Sequence, residues 1–371
     1  MKNYLKKYYK ETISILIMLS FSLLNMLKAP LLSNTYSYHL QKQLVWILIG
    51  IIIYFVIYKI KFKKIFKLRY LLYFLNIILL IYVLLFSKTT NGIKAWIKIG
   101  SLSLQPSEFI KITFPLAVIK LIKDKKYLYS LILFIIPSVL ILLEPDTGNF
   151  VLLFFIYLYL LTNKKNKKLI LILISTALII GVSLVFIFKM YPNFIIKLFN
   201  GSLYYRFKRI LTFKNNFQIN NALIGIGSAS LLPISFKKTL IYIPEGITDF
   251  IFSFNICNYG IILSIILVLS YLIFIESITQ KYNKNIYYFK KKIIGSFLTI
   301  FVIQSLYNIF MNLGLVPIMG IPLPFVSYGG SNIITFFILY ALATKKISSI
   351  EDMDNNNYKS NFHKDLVDNH N

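Results

Sequence analysis

This sequence is poor in the residues that most binding and redox chemistry uses. Its 371 residues include one cysteine, Cys257, and three histidines, His39, His363 and His370. A single thiol excludes a disulfide within the chain and any cysteine-rich metal site. Acids are scarce too: 13 Asp and Glu stand against 41 Lys and Arg, for a formal charge of +28. Such a charge raises the question of nucleic acid. The lysines, however, fall in short clusters between apolar segments. That is the pattern of loops on the cytoplasmic side of a membrane, and nucleic acid is excluded as a partner on that ground. The length leaves no room for a second sizeable soluble domain.

What the chain does have is hydrocarbon. Hydrophobic residues make up 57% of it, and the mean hydropathy is +0.69. These values describe an all-α integral membrane protein. Ten transmembrane helices are predicted, at about 12–28, 43–59, 69–87, 106–122, 127–143, 147–162, 168–189, 249–275, 293–316 and 330–344. The first lacks a small-residue cleavage site and reads as an anchor helix. The fourth opens at Pro106, a residue suited to a first helical turn. A long outer loop, about 190–248, separates the seventh and eighth helices. The membrane domain spans 1–347, and the polar tail over 348–371 has the composition of a disordered cytoplasmic segment.

The loops alternate in charge. Lys2, Lys6, Lys7 and Lys10 precede the first helix, five lysines and Arg69 lie in 59–69, four lysines each in 120–126 and 163–168, and five in 281–292. The intervening loops at 29–42, 88–105, 144–146 and 317–329 carry one, three, none and none. The positive-inside rule puts both termini in the cytoplasm. Of the 13 acids, five lie in the tail, and Glu11, Asp124 and Glu276 lie on the basic side. The other five, Glu108, Glu144, Asp146, Glu245 and Asp249, fall at the opposite, outer boundary. Each sits in a polar run: Gln105-Pro-Ser-Glu108, Glu144-Pro-Asp-Thr-Gly148, and Pro244-Glu-Gly-Ile-Thr-Asp249. Carboxylates near lipid are costly unless paired or functional.

Plainer readings exist. Asp249 would open the eighth helix with Thr248 as N-cap, and a first-turn acid suits the helix dipole. Glu108 behind Pro106 invites the same reading, and Asp146 beside Gly148 is compatible with a cap. Lys111, three residues after Glu108, can pair with it. Arg206 and Arg209 in the long loop have the fork geometry for phosphate, or form a solvated patch. The run Gly320-Ile-Pro-Leu-Pro-Phe-Val-Ser-Tyr-Gly-Gly-Ser331 cannot continue a helix. Between two apolar segments it is either a built site lining a cavity or an extramembrane turn. An outer cavity with carboxylates, guanidinium groups and Trp96 suits an anionic, lipid-linked, partly sugar-like substrate. A carboxylate there could act as general base on a sugar hydroxyl, and a cation could stabilise a departing diphosphate.

At these motifs the sequence resembles the RodA/FtsW (SEDS) family of polytopic cell-wall polymerases. The matching runs are Gly92-Ile-Lys-Ala-Trp96-Ile-Lys-Ile-Gly100, Gln105 to Lys111, Glu144 to Gly148, Tyr205-Arg206-Phe-Lys-Arg209-Ile, Ile226-Gly-Ser228, Ile243 to Phe252, and Pro322 to Ser331. Pro322-Leu-Pro324 and the short N-terminus look more like the RodA branch. The resemblance implies a peptidoglycan glycosyltransferase that polymerises lipid II on the outer face of the bacterial cytoplasmic membrane, beside a class B penicillin-binding protein. It assigns the essential acid to Asp249. It assigns substrate binding or cavity structure to Trp96, Lys111, Arg206, Arg209, Glu108, Asp146, Glu245 and Ser327. A divalent cation is compatible with that chemistry, though no metal-ligand cluster is evident in the sequence. The family's pattern is broken at Ala95, Ile247, Cys257-Asn258 and Ala229 to Leu232. A lipid II flippase and a non-catalytic scaffold are the alternatives.

Overall fold

The computed structural model describes residues 2–31, 36–88, 94–100, 102–162, 167–190, 216–233 and 242–345, with backbone alone at 2–7 and over much of 167–190. Arg206, Arg209 and the tail over 348–371 lie outside the described residues. The first stretch holds α1 (Lys2–Lys28, kinked at Tyr8), α2 (His39–Lys59), a short α3 (Phe62–Lys67) and α4 (Arg69–Phe86). A small antiparallel hairpin follows, β1 (Ile97–Ile99) and β2 (Leu102–Leu104), turning at Gly100 with φ +60°. Then come α5 (Pro106–Lys123), α6 (Tyr127–Leu143), α7 (Thr147–Leu161), α8 (Lys167–Met190) and α9 (Phe217–Gly227). The last three are α10 (Ile251–Lys284), α11 (Tyr288–Asn312) and α12 (Gly330–Thr344).

All ten expected segments are helical. Among the described residues α1, α2, α4, α10 and α11 are each long and apolar enough to cross a membrane, and α6, α7 and α12 are shorter apolar helices. The chain is a multi-pass membrane protein. Among the described residues three features go beyond the sequence pattern: α3 in the 59–69 loop, the hairpin in 88–105 and α9 within the long loop.

The side-chain distribution is that of a protein solvated by lipid. On α2, Leu48, Ile52 and Phe55 are more than half exposed, while Gln43, Trp46, Gly50 and Tyr54 are buried. On α4, Leu71, Phe74 and Ile78 face outward while Tyr73 and Asn76 are buried. In lipid, apolar faces gain little by meeting each other, so helices associate through small residues and polar contacts. Gly50 and Gly330 are where α2 and α12 close on each other. A Cβ on Gly50 would sit 2.3 Å from Phe337, and one on Gly330 would sit 2.1 Å from Trp46.

One end of the bundle is sealed by lysines. Lys290 donates to the carbonyls of Leu342 and Ala343 at 3.2 and 2.6 Å, closing α12. Lys292 donates to Leu160 and Thr162 at 2.9 and 3.0 Å, closing α7. Lys345 donates to Ile57 and Tyr58 at 2.5 and 2.9 Å, closing α2. Helix C-terminal carbonyls lack partners and carry partial negative charge, so each amine meets its best available acceptor. Lys281 pairs with the buried Glu11 at 2.6 Å on the same side.

α10 is discontinuous. Gly260 has φ 80° and ψ 173°, a backbone state essentially reserved for glycine. The break frees amides that a neighbouring segment takes up: Ile261 and Ile262 N–H donate to the carbonyls of Ser230 and Leu231 at 3.0 and 3.1 Å. Lys28 donates to the Asn258 carbonyl at 3.1 Å on the other side of the break. Backbone at membrane depth must be satisfied this way. A Cβ on Gly260 would lie 2.8 and 2.9 Å from the carbonyl oxygens of Leu231 and Ser230. Gly260→Ala is therefore expected to lose about 1–3 kcal/mol of stability. Gly227→Ala, where a Cβ meets nothing within 4 Å, serves as the control. Thermal unfolding of the two purified variants in detergent checks this.

Candidate functional site

The non-helical chain that leads into α12 is largely buried from Ile321 onward. Ile321, Leu323, Phe325, Val326 and Ser327 are each at most 1% exposed. From Ile321 to Ser331 the run is therefore a built internal element, as one of its two sequence readings held, with Gly320 exposed at its edge. Phe325 adopts φ +61°, unusual for a bulky residue. Its ring is locked against Phe336 and Phe337, with centroids 5.6 and 5.3 Å away.

Amides from α11 hold this segment in place. Gln304 Nε2 donates to the Pro322 carbonyl at 2.8 Å and to Asn332 Oδ1 at 3.0 Å. Asn308 Nδ2 donates to the carbonyls of Ile321 and Asp249, both at 2.8 Å. Asn312 Nδ2 also donates to the Asp249 carbonyl, at 3.0 Å, and its Oδ1 accepts from Ser253 N–H at 2.9 Å. These three residues recur every fourth position, so they form one stripe on α11. Sequence reasoning did not single them out. Three amides at a spacing of four on an apolar helix were the available signal.

The expected start of the eighth helix needs correction. α10 begins at Ile251, after an uncapped Phe250, and Asp249 lies in the preceding turn. Thr248 is not the N-cap: its hydroxyl donates to Glu245 Oε2 at 2.7 Å. Asn312 reaches across from α11 to accept the Ser253 N–H instead, an orphan donor of the first helical turn.

Ser327 ties the two loops together. Its Oγ donates to the Thr248 carbonyl at 2.5 Å and accepts from Leu323 N–H at 2.8 Å. Tyr328 N–H donates to the Ile247 carbonyl at 2.8 Å. Ser327 is wholly buried; its hydroxyl is a clamp between loops and does not face an open cavity.

A second polar node lies where α5 and α7 begin. Asp146 is the N-cap of α7 and accepts from Asn149 N–H at 3.1 Å. Its carboxylate also accepts from Gln105 Nε2 at 2.8 Å, Ser107 Oγ at 3.0 Å and Asn149 Nδ2 at 2.8 Å. Gln105 N–H donates to Ser331 Oγ at 2.7 Å, joining this node to α12. The hairpin register, Ile97 opposite Leu104, brings the half-buried Trp96 to the Gln105 end. Glu144 is also buried, and neither of its carboxylate oxygens has a hydrogen-bond partner among the described residues.

Between the two nodes lies the ion pair foreseen one helical turn apart. Lys111 Nζ is 2.7 Å from Glu108 Oε2, with side chains 0% and 3% exposed. Lys111 also donates to Gln304 Oε1 at 3.4 Å, linking the pair to the α11 stripe. The α5 start is recessed. Asn76 on α4 and Thr113 on α5 hydrogen-bond at 3.2 Å. From that level α4 runs on for roughly 15 Å to Phe86, and α5 for only about 10 Å to Pro106.

The structure thus brings Glu108, Lys111, Asp146, Ser327, Glu245 and Asp249 into one connected region. The first four are buried: Glu108 and Lys111 pair with each other, Asp146 is met by Gln105, Ser107 and Asn149, and Ser327 by the two loops. Asp249 and Glu245 are half-buried at its edge. Asp249 faces Gly320, whose φ is +64°; a Cβ there would sit 3.6 Å from Asp249 Oδ2. Among the described residues no group of three or more His, Cys, Asp or Glu side chains could hold a metal ion.

The profile of the FTSW_RODA_SPOVE family, described as cell cycle proteins, matches residues 8–350. The chain belongs to this family. A similar FTSW_RODA_SPOVE relative is the probable peptidoglycan glycosyltransferase FtsW of Wigglesworthia glossinidia brevipalpis, 30% identical over 287 residues, 71% of each chain. Another is the peptidoglycan glycosyltransferase MrdB of Helicobacter pylori strain J99, 31% identical over 294 residues, 73% of each chain. Among solved structures, a chain from a peptidoglycan synthase complex that coordinates polymerization and crosslinking superposes with TM-score 0.73 at 20% identity, covering 90% of this chain and 96% of that one. The rod shape determining protein RodA of Thermus thermophilus gives TM-score 0.64 at 21% identity, covering 90% and 94%. These likenesses show a shared multi-pass fold.

The buried pair makes a sharp prediction. Glu108→Gln leaves the Lys111 ammonium uncompensated and is expected to cost about 3–5 kcal/mol. Adding Lys111→Met to that variant should restore part of the loss, because the charge itself is then gone. Chemical unfolding of the two variants and wild type tests the cycle; a double variant no more stable than Glu108→Gln would refute the pairing.

Proposed function

We propose that the chain is a peptidoglycan glycosyltransferase that polymerises lipid II on the outer face of a bacterial cytoplasmic membrane, with both termini in the cytoplasm. One observation carries this reading. Asp249 is a half-buried carboxylate whose own backbone carbonyl is pinned by Asn308 and Asn312, at 2.8 and 3.0 Å. Its main chain is fixed while its side chain borders the region where the other motifs meet. The names of the relatives and the family membership support the same reaction class.

In this reading Asp249 is the general base. It takes the proton from an acceptor sugar hydroxyl as that oxygen attacks the anomeric carbon of a second lipid-linked sugar. The glycosidic C–O bond forms, the bond from the anomeric carbon to the diphosphate breaks, and the lipid diphosphate departs with its electron pair. Glu245 lies four residues away in the same turn, its position set by Thr248. Trp96 presents an aromatic face suited to a sugar ring. Glu108, Lys111 and Asp146 hold the walls, and Ser327 locks the two loops that frame Asp249. Arg206 and Arg209 have the chemistry to receive the diphosphate, as the sequence reading holds. A divalent cation could serve the diphosphate too, but the described residues do not assemble a cage for one, and no step is assigned to it. A class B penicillin-binding protein is the proposed partner. The Pro322-Leu-Pro324 start of the last motif favours wall elongation over division.

Asp249→Asn keeps both hydrogen bonds to the Asp249 carbonyl, because these go to the main chain. It should fold with wild-type stability yet lose on the order of 10²–10⁴-fold in polymerisation rate. The measurement is gel analysis of glycan products from purified protein and lipid II, with and without the transpeptidase. Full activity in the variant would sink the assignment. Lipid II crossing liposomes without polymer formation would replace it with translocation.

A further inference from the structure

At the end of the bundle opposite Asp249 lies a cavity of about 810 Å³ that the glycosyl-transfer reading does not use. Its walls come from α2, α4, α5 and α12, with Ile57, Leu72, Leu116 and Ile338 among the lining side chains. It extends along α5 as far as Phe109. The polar side chain in the wall, Thr113, is already engaged with Asn76 at 3.2 Å. The interior therefore offers a ligand nothing but hydrocarbon contact.

The mouth is different. Lys59, Lys61 and Lys64 line it. All three are exposed. None lies within ion-pair distance of a carboxylate among the described residues. Lys61 and Lys64 flank the start of α3, whose Phe62 and Phe66 are buried while Lys63, Lys64 and Lys67 are exposed. α3 thus carries its charges at the surface beside the opening. Four other lysines at this end are engaged with the protein itself: Lys290, Lys292 and Lys345 close helix ends, and Lys281 meets Glu11. The trio at the cavity mouth has none of these duties.

We propose that this cavity binds an anionic phospholipid of the adjoining leaflet, with acyl chains along α5 and the phosphate on Lys59, Lys61 and Lys64. Charge and shape together select this occupant. A basic pocket between transmembrane helices, at the end of the bundle that carries the positive loops, suits a lipid phosphate. A zwitterionic lipid would leave the lysines without net compensation. The chain's own tail, from Ser348, is polar and cannot fill a hydrocarbon cavity. A second copy would bring the same lysines and repel. The inference stands apart from the glycosyl-transfer reading, because the lysines at the mouth lie at the other end of the bundle and none of the residues placed in the candidate site lines the cavity.

The test is native mass spectrometry of the full chain with phosphatidylglycerol or phosphatidylcholine of matched acyl length. Wild type should retain one phosphatidylglycerol in preference to phosphatidylcholine. Each lysine near a membrane surface contributes about fivefold in affinity. Lys59→Gln/Lys61→Gln/Lys64→Gln should therefore weaken phosphatidylglycerol retention on the order of 100-fold. That variant keeps Lys63, Lys67 and Arg69 in the same loop, so the charge that orients the loop is retained. Leu72→Trp, at a half-buried lining position, should weaken retention by narrowing the cavity while leaving every charge in place. Equal retention of the two lipids by wild type overturns the proposal. So does wild-type retention of phosphatidylglycerol by the triple lysine variant, which tests the idea even if Leu72→Trp fails to fold.

Discussion

A chain that leaves the helix inside a membrane must find a donor for every carbonyl it exposes. This protein meets that constraint with Gln304, Asn308 and Asn312. Because their side chains bond main-chain carbonyls of two separate loops, they turn two irregular segments into one rigid frame. The left-handed turn at Gly320, the unusual backbone of Phe325 and the placement of Asp249 all depend on it. Remove the amides and the carbonyls of Ile321, Pro322 and Asp249 are left to desolvated surroundings, where each unmet group is costly.

Within the frame, charge is sorted by depth. Glu108 and Lys111 neutralise each other in full burial. Asp146 is satisfied by four donor groups from Gln105, Ser107 and Asn149. Charges so satisfied have little left to offer a ligand. Asp249 differs in that its main chain, rather than its carboxylate, is what α11 holds. The main chain of Asp249 is thereby held in place, which is what the proposed base of a pre-organised site requires.

The sequence made the membrane architecture readable because its signals are long-range and redundant. Ten apolar segments and an alternating pattern of lysines survive errors of several residues at any boundary. Glu108 to Lys111 was equally readable, since spacing alone puts two residues on one face of a helix. Thr248 misled for the opposite reason, and the particular bonds of Ser327 were equally hidden. Each is a short polar residue with several local uses, and the choice among them was made by α11 and by the opposing loop. The hairpin at Ile97 to Leu104 was hidden because three-residue strands carry no periodicity to detect. The α11 amides were visible but unweighted: in an apolar helix they read as tolerated polar residues until their acceptors are known.

The lysines that close α2, α7 and α12 carry a consequence for how the chain is made. Positive loops are what the insertion machinery reads when it decides which side a segment stays on. In the proposed orientation Lys290, Lys292 and Lys345 belong to that signal and also become part of the finished bundle. A segment threaded the wrong way would deliver its amines to the wrong surface and leave three helix ends open. Biogenesis and final packing thus consult the same residues. An error in threading is met a second time during assembly, as a structure that cannot close.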